Sequence, residues 1–352
     1  MIKQVHKWRE IAAHFADNLI VGNGGSIAVC PDRFRYKDLH AYAIKNNLLK
    51  SNVIEVFEKA TPNNPDFEKV LYQLWLADFI NKRFDVEKSE RERVREGYTL
   101  VRRALINTVK DIHPIQAEID SKLNQIGRFI CNFSNVLYLN YDLILYWASL
   151  KVNSKEKHRC KDGFSSKESK KRTTLSRLKF SEDLEKIWEP FNHNSASTAI
   201  FYPHGSLMLY QTRAKHEERK LGLSGDDMLD IITEFWAKND NQPLFVCEGS
   251  SEEKLAAISR SNYLTTVYHK VIPRFKSTVV IYGWSIGEED QHIIRQLRRD
   301  SLSKIAVSIV LRGRSEQSIS KEQEYITDKL SNLVSEEDIY FFDADSKGCW
   351  CH

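Results

Sequence analysis

Several short polar motifs in this chain stand at the ends of apolar runs, and each holds a residue type able to do chemistry. In LNYD, residues 139–142, Asn140 and Asp142 follow the apolar run that begins at Val136. If a strand continues through them, alternate side chains share a face, and the two can act as a pair: one orients a hydroxyl or a water, the other brings negative charge. The same residues would equally serve to cap a following helix. In FYPHGS, His204 follows another apolar run, where an imidazole can accept a proton near neutral pH. A surface or capping histidine has the same signature. VGNGGS sets Gly22, Asn23, Gly24, Gly25 and Ser26 between an apolar run and a helical pattern. Glycines there let backbone N–H groups approach a phosphate beside the helix's positive end. The full G-x-G-x-x-G spacing is missing, and glycine at such a turn also serves geometry alone.

The theme recurs in YGWS, with Gly283 and Ser285, and in CEGSS, with Gly249 and Ser250. Lys254, one turn beyond, either reaches a phosphate or faces solvent. Glu288, Glu289 and Asp290 suit the first turn of a helix, which accounts for them completely as capping residues. Open parallel sheets bind ligands at the carboxyl ends of their strands, so polar ends of this kind can converge on one crevice. Asn140 and His204 must then face the same cavity.

The elements that would position these residues are legible as apolar runs ending near Gly22, Asp142, His204 and Gly283, with further runs from Pro243, Lys304 and Asp338. That predicts six or seven strands. Long stretches with apolar residues three and four apart, such as Phe67 to Phe84 and within Glu90 to His113, predict amphipathic helices between them. Strands separated by helices require crossover connections, so the expected fold is α/β: a doubly wound, mostly parallel, Rossmann-like sheet in a single domain spanning 1–352. Residues 38–128 contain no convincing strand and read as a helical insertion.

The 352 residues are 41% hydrophobic, enough for a sizeable core, and no apolar run is long enough to cross a membrane. Six scattered cysteines, including the terminal CWCH that reads as a frayed tail, suit a reducing cytoplasm better than a disulfide framework. Residues 151–179 carry eleven Lys and Arg against three Asp and Glu, a balance of +8 that leaves −4 for the rest of a chain of net charge +4. This tract reads as a solvated basic insertion loop, with nucleic-acid contact as the less favoured alternative.

Taken in order, GNGGS, LNYD, PHGS and YGWS resemble the sirtuin superfamily, whose NAD-binding fold carries a glycine-rich first turn, an Asn-x-Asp motif, a His-Gly motif and a late Gly-x-Ser motif. Within it, the likeness is to sirtuin-like NAD-hydrolysing domains of bacterial antiphage defence, including a branch of unassigned function. The resemblance implies that Gly22, Gly24 and Ser26 form the dinucleotide-phosphate turn, with Asn23 where the family usually has alanine. It makes Asn140 and Asp142 the nicotinamide and ribose end, His204 the catalytic histidine, and Gly283 and Ser285 the adenosine-ribose side. Gly25 and Gly249 join the cofactor-binding set by their place at strand ends. The paired Cys-x-x-Cys module of zinc-bearing deacylases is missing, so the resemblance implies hydrolysis rather than deacylation. The expected protein is an NAD glycohydrolase with NAD as substrate and no metal. It would be a regulated homo-oligomeric effector answering to a defence partner or phage trigger. A non-catalytic sensor of NAD or ADP-ribose, and an ADP-ribosyltransferase, stay open.

Overall fold

Apolar runs without polar alternation suit strands covered on both faces, and the central strands of this chain are of that kind. The computed structural model describes residues 3–34, 39–60, 65, 67–155, 158–165, 175–181, 183–189, 196–212, 217–223, 227–238, 241–246 and 250–352. In chain order its strands are β1 (Val5–His6), β2 (Asn18–Val21), β3 (Asn135–Tyr138), β4 (His158–Lys161), β5 (Phe164–Ser165), β6 (Leu175–Phe180), β7 (Ala196–Phe201), β8 (Gly205–Gln211), β9 (Glu218–Leu223), β10 (Gln242–Phe245), β11 (Ser277–Tyr282), β12 (Leu302–Ile309) and β13 (Ile339–Asp343). Eight of them form one sheet in the order β1-β13-β12-β11-β2-β3-β7-β4, with every neighbouring pair parallel. Leu19, Ile20, Val136, Leu137, Val280 and Ile281 are fully buried in its centre, each stabilising by about 1.5–3 kcal/mol.

From β2 the chain builds outward through β3 and β7 on one side, then returns to add β11, β12 and β13 on the other. The order therefore reverses between β2 and β11, and a crevice opens at such a switch point beyond the carboxyl ends of the strands. The architecture is α/β and broadly Rossmann-like.

Several expectations change. The main sheet has eight strands rather than six or seven, and the run from Pro243 is not in it. That run forms β10 of a second, antiparallel sheet, ordered β10-β8-β9-β6-β5. The tract 151–179, expected as a loop, holds β4, β5 and most of β6 among its described residues. β4 is an edge strand, where charged side chains are at home. It is fixed by Asn153, whose amide donates to the Cys160 carbonyl at 3.0 Å and whose side-chain oxygen accepts the Cys160 N–H at 2.7 Å.

The helices that connect these strands include α1 (Asn23–Val29), α2 (Leu39–Lys45), α3 (Ser51–Ala60), α4 (Phe67–Arg83), α5 (Lys88–Ile112), α6 (Gln116–Ile130), α7 (Ile144–Asn153), α8 (Ser251–Ile258) and α9 (Gln291–Gln296). Helices α2 to α6 lie between β2 and β3 in the chain, where residues 38–128 read as a helical insertion. Just beyond α5, buried His113 accepts the Leu143 N–H through Nε2 at 3.0 Å, and its Nδ1 meets the Pro114 carbonyl at 2.7 Å. The helical region thereby fixes the start of α7, directly after LNYD. Among the described residues no helix is long and apolar enough to cross a membrane.

The CWCH segment, expected to fray, is part of the core: Cys349 and Trp350 are 0% and 1% exposed. Trp350 donates its indole N–H to the Gly25 carbonyl at 2.8 Å and packs against Tyr282 and Tyr138. Replacing Trp350 with Ala is expected to destabilise the fold by about 3–5 kcal/mol, read as a lowered urea midpoint. A loss below about 0.5 kcal/mol, the range of surface substitutions, would mean that the segment does not pack as described.

Candidate functional site

One cavity of about 830 Å³ lies over the carboxyl ends of the main-sheet strands. Gly22, Asn23, Gly24, Asn140, Asp142, His204, Gly283 and Ser285 all line it, from four different strand ends. Gly25 and Ser26 stand behind its wall, and Gly249 lies outside the described residues.

The two glycine turns that bracket the switch point touch. A Cβ on Gly24 would come within 2.7 Å of Gly283 Cα, and one on Gly22 within 2.6 Å of Trp284 Cβ. Gly283 itself has φ +61°, the left-handed region that favours glycine. The Gly24 N–H donates to the Gly283 carbonyl at 2.7 Å and the Gly25 N–H to the Gly22 carbonyl at 2.9 Å. These two N–H groups, expected to face a phosphate, are turned inward, the first joining the two turns and the second closing its own.

β3 ends at Tyr138, so Asn140 and Asp142 are not strand residues, yet they converge on a single hydroxyl. Asn140 Nδ2 donates to the Gly22 carbonyl at 3.0 Å and to Ser26 Oγ at 2.7 Å. Because a carbonyl can only accept, this orientation of the amide is forced, and the Asn140 side-chain oxygen has no hydrogen bond among the described residues. Asp142 accepts from Ser26 Oγ, from the Tyr138 hydroxyl at 2.7 Å and from the Ile144 N–H at 2.9 Å. Burial, then the Asp142 charge, push the Tyr138 hydroxyl well above its ordinary value. Asp142 thus caps the start of α7 and braces Ser26, while the Asn140 oxygen keeps its accepting capacity.

His204 is 3% exposed and has both ring nitrogens engaged: Nδ1 lies 3.2 Å from the Leu139 carbonyl and Nε2 lies 2.9 Å from Nε2 of His292. Asp290 Oδ1 stands 3.9 Å from His204 Nε2. That carboxylate accepts from Lys254 Nζ at 2.7 Å and from the Trp284 indole N–H at 3.0 Å. Burial lowers His204 to about 3, and the Asp290 charge only partly opposes it; burial likewise lowers His292 to about 4. Burial alone would raise Asp290, but the positive charges beside it and its hydrogen bonds hold it below the usual carboxylate range.

The chain matches a family model described as a domain of unknown function, DUF4917, over residues 19–350. It belongs to that family. No curated protein matches it. In this DUF4917 chain the ligand atoms of His204, Asp290 and His292 lie within 4.8 Å of one another, a cluster able to hold a metal ion or a polar ligand. With the Rossmann-like sheet, that cluster suits a nucleotide-binding or nucleotide-processing protein.

Sequence reasoning misses the second half of this cluster. Capping accounts for Asp290 in the sequence, but its side chain makes no cap and instead pairs with Lys254, itself only 6% exposed. His292 reads as one polar position in the helical run EEDQHIIRQL, yet it is 0% exposed. The available signal is Asp290-x-His292 directly after a polar strand end.

The two depressed imidazoles predict acid sensitivity. The unfolded chain binds these protons near pH 6.5, whereas the folded state holds them off until about 4 for His292 and about 3 for His204. Stability should therefore fall as pH drops below about 6.5, by up to about 1.4 kcal/mol per histidine per pH unit, and level off below both folded values. In His204→Gln and His292→Gln the slope of unfolding free energy between pH 4 and 6 should be shallower; an unchanged slope in both would contradict the assignment.

Proposed function

We propose that this protein is an NAD glycohydrolase that cleaves NAD to nicotinamide and ADP-ribose. The observation that carries the reading is the convergence of Asn140 and His204 on one cavity at the switch point, with the Asn140 side-chain oxygen left free and fixed in direction. Cleavage of the nicotinamide glycosidic bond leaves a neutral nicotinamide and an oxocarbenium-like ribosyl group, which one water attacks. The Asn140 oxygen would accept a hydrogen bond from that water or from a ribose hydroxyl, orienting it for reaction. His204, kept neutral by burial, would take the proton that the hydroxyl group or water gives up. Asp290, near His204 Nε2, would favour the imidazolium while it lasts. No metal is needed for these steps, and Lys254 already supplies a cation to Asp290.

The cavity extends from His204 to Asp345 and His352, room for a dinucleotide lying across the strand ends. Gly283 and Ser285 would face its adenosine half. The family resemblance adds that such an activity would be held in check in a homo-oligomeric defence effector until a partner or phage signal arrives.

One observation favours a second reading, a sensor that binds NAD or ADP-ribose without cleaving it: both His204 nitrogens are engaged by the protein, and burial, which disfavours the imidazolium, weakens it as a base. Nicotinamide release decides between the two. Purified protein incubated with NAD should release nicotinamide, and Asn140→Ala and His204→Ala should each lower the rate about 10²- to 10⁴-fold. Turnover unchanged in both variants would refute the hydrolase; NAD binding without release would select the sensor.

A further inference from the structure

We propose that His292 is the positioning residue that decides which nitrogen of His204 can take a proton. The assignment follows from what each neighbour is able to donate. The Leu139 carbonyl only accepts, so His204 Nδ1, 3.2 Å away, carries the ring proton, and the neutral ring leaves Nε2 bare. Nε2 of His292 lies 2.9 Å from that bare nitrogen. Two lone pairs facing each other at this distance would repel, so His292 must bring its proton on Nε2, which leaves its own Nδ1 as an acceptor. Ser251 meets that requirement. Its Oγ lies 3.3 Å from His292 Nδ1 and can donate to it, while its lone pair accepts the His292 backbone N–H at 3.0 Å.

The chain therefore runs in one direction, from the Ser251 hydroxyl through His292 to His204 and the Leu139 carbonyl. The Tyr268 hydroxyl, donating to the His292 carbonyl at 3.1 Å, holds the backbone in place. His292 is fully buried, so solvent cannot substitute for any of these partners. Reversing the His204 tautomer would break two hydrogen bonds at once, to the Leu139 carbonyl and from His292. The arrangement keeps a lone pair on a fixed atom of a residue that lines the cavity, satisfied by His292 until a substrate competes for it. When a hydroxyl group or water delivers its proton, the O–H bond breaks and an N–H bond forms on His204 Nε2. His292 then loses its acceptor, and the new N–H on His204 Nε2 stands 3.9 Å from Asp290 Oδ1, whose charge favours it. Asp290 remains anchored by Lys254 and Trp284.

The catalytic part of this proposal rests on reading His204 as the base of an NAD glycohydrolase; the tautomers do not. Nitrogen-15 NMR of the full chain with labelled histidine should show His204 protonated on Nδ1 and His292 on Nε2, with a through-hydrogen-bond coupling between the two Nε2 atoms. In His292→Phe, which removes the donor, the His204 tautomer preference should be lost. Nicotinamide release should then fall about 10- to 10²-fold in kcat at an unchanged KM for NAD. His292→Gln, which keeps an amide N–H donor near the same place, should restore most of both. His204 protonated on Nε2 in the wild-type protein would overturn the proposal, as would equal loss in the Phe and Gln variants. A wild-type protein that releases no nicotinamide would refute the hydrolase, while the NMR measurement still decides the role of His292.

Discussion

No Cβ fits between the turn that follows β2 and the turn that follows β11, and the site is built on that contact. Gly24 and Gly283 pack backbone to backbone, joined by the hydrogen bond from the Gly24 N–H to the Gly283 carbonyl. Two loops that leave neighbouring strands on either side of the switch point are thereby pinned together. One carries Ser26 towards Asn140 and Asp142; the other carries Trp284, Asp290 and His292 towards His204. The Gly22 carbonyl, presented by the same contact, is the acceptor that forces the Asn140 amide into one orientation. Trp350 supports the turn from behind through the Gly25 carbonyl, so a backbone interlock of a few residues organises both halves of the cavity.

The polar groups beneath that interlock are satisfied with little to spare. Asp142 serves three donors, and Ser26 both donates to it and accepts from Asn140. A buried group stripped of a partner costs about 1–3 kcal/mol, and a linked set of such groups is rigid because losing one member strands several others. The rigidity matters most at Asn140. Its amide nitrogen is consumed twice over, which is why its oxygen alone is presented to the cavity.

The parallel strands were legible because strands covered on both faces leave unbroken apolar runs, as in Leu19 to Val21 and Val279 to Ile281. β4, with the sequence HRCK, leaves no such trace, since it takes its register from β7 and its anchoring from Asn153. The second sheet was hidden for another reason: β7 and β8 are consecutive in sequence and separated only by Tyr202, Pro203 and His204, yet they belong to different sheets. Local pattern does not record which partner a strand finds. The candidate site divides in the same way. Asn140 and His204 stood out as polar residues ending apolar strands. Asp290, His292 and Lys254 lie in charged helical runs where solvent exposure and capping are ordinary outcomes, and only the fold of α8 against α9 buries them together.

The charges in the cavity wall are arranged unevenly, and that bears on how a ligand would lie. At the His204 end the imidazoles are neutral, and Lys254 is spent on Asp290. At the far end Arg312 is largely exposed and stands 3.7 Å from Asp345, a separation at which solvent screens most of the attraction. An anion entering the cavity would find Arg312 easy to recruit and Lys254 costly, because taking Lys254 from Asp290 would strand a nearly buried carboxylate. A dinucleotide laid along the strand ends would therefore settle its phosphates away from Lys254, leaving the Asn140 and His204 end to the ribose. On the proposed hydrolase reading, the negative charge of Asp290 there, fixed in place by Lys254 and Trp284, would favour the cationic character of a breaking glycosidic bond.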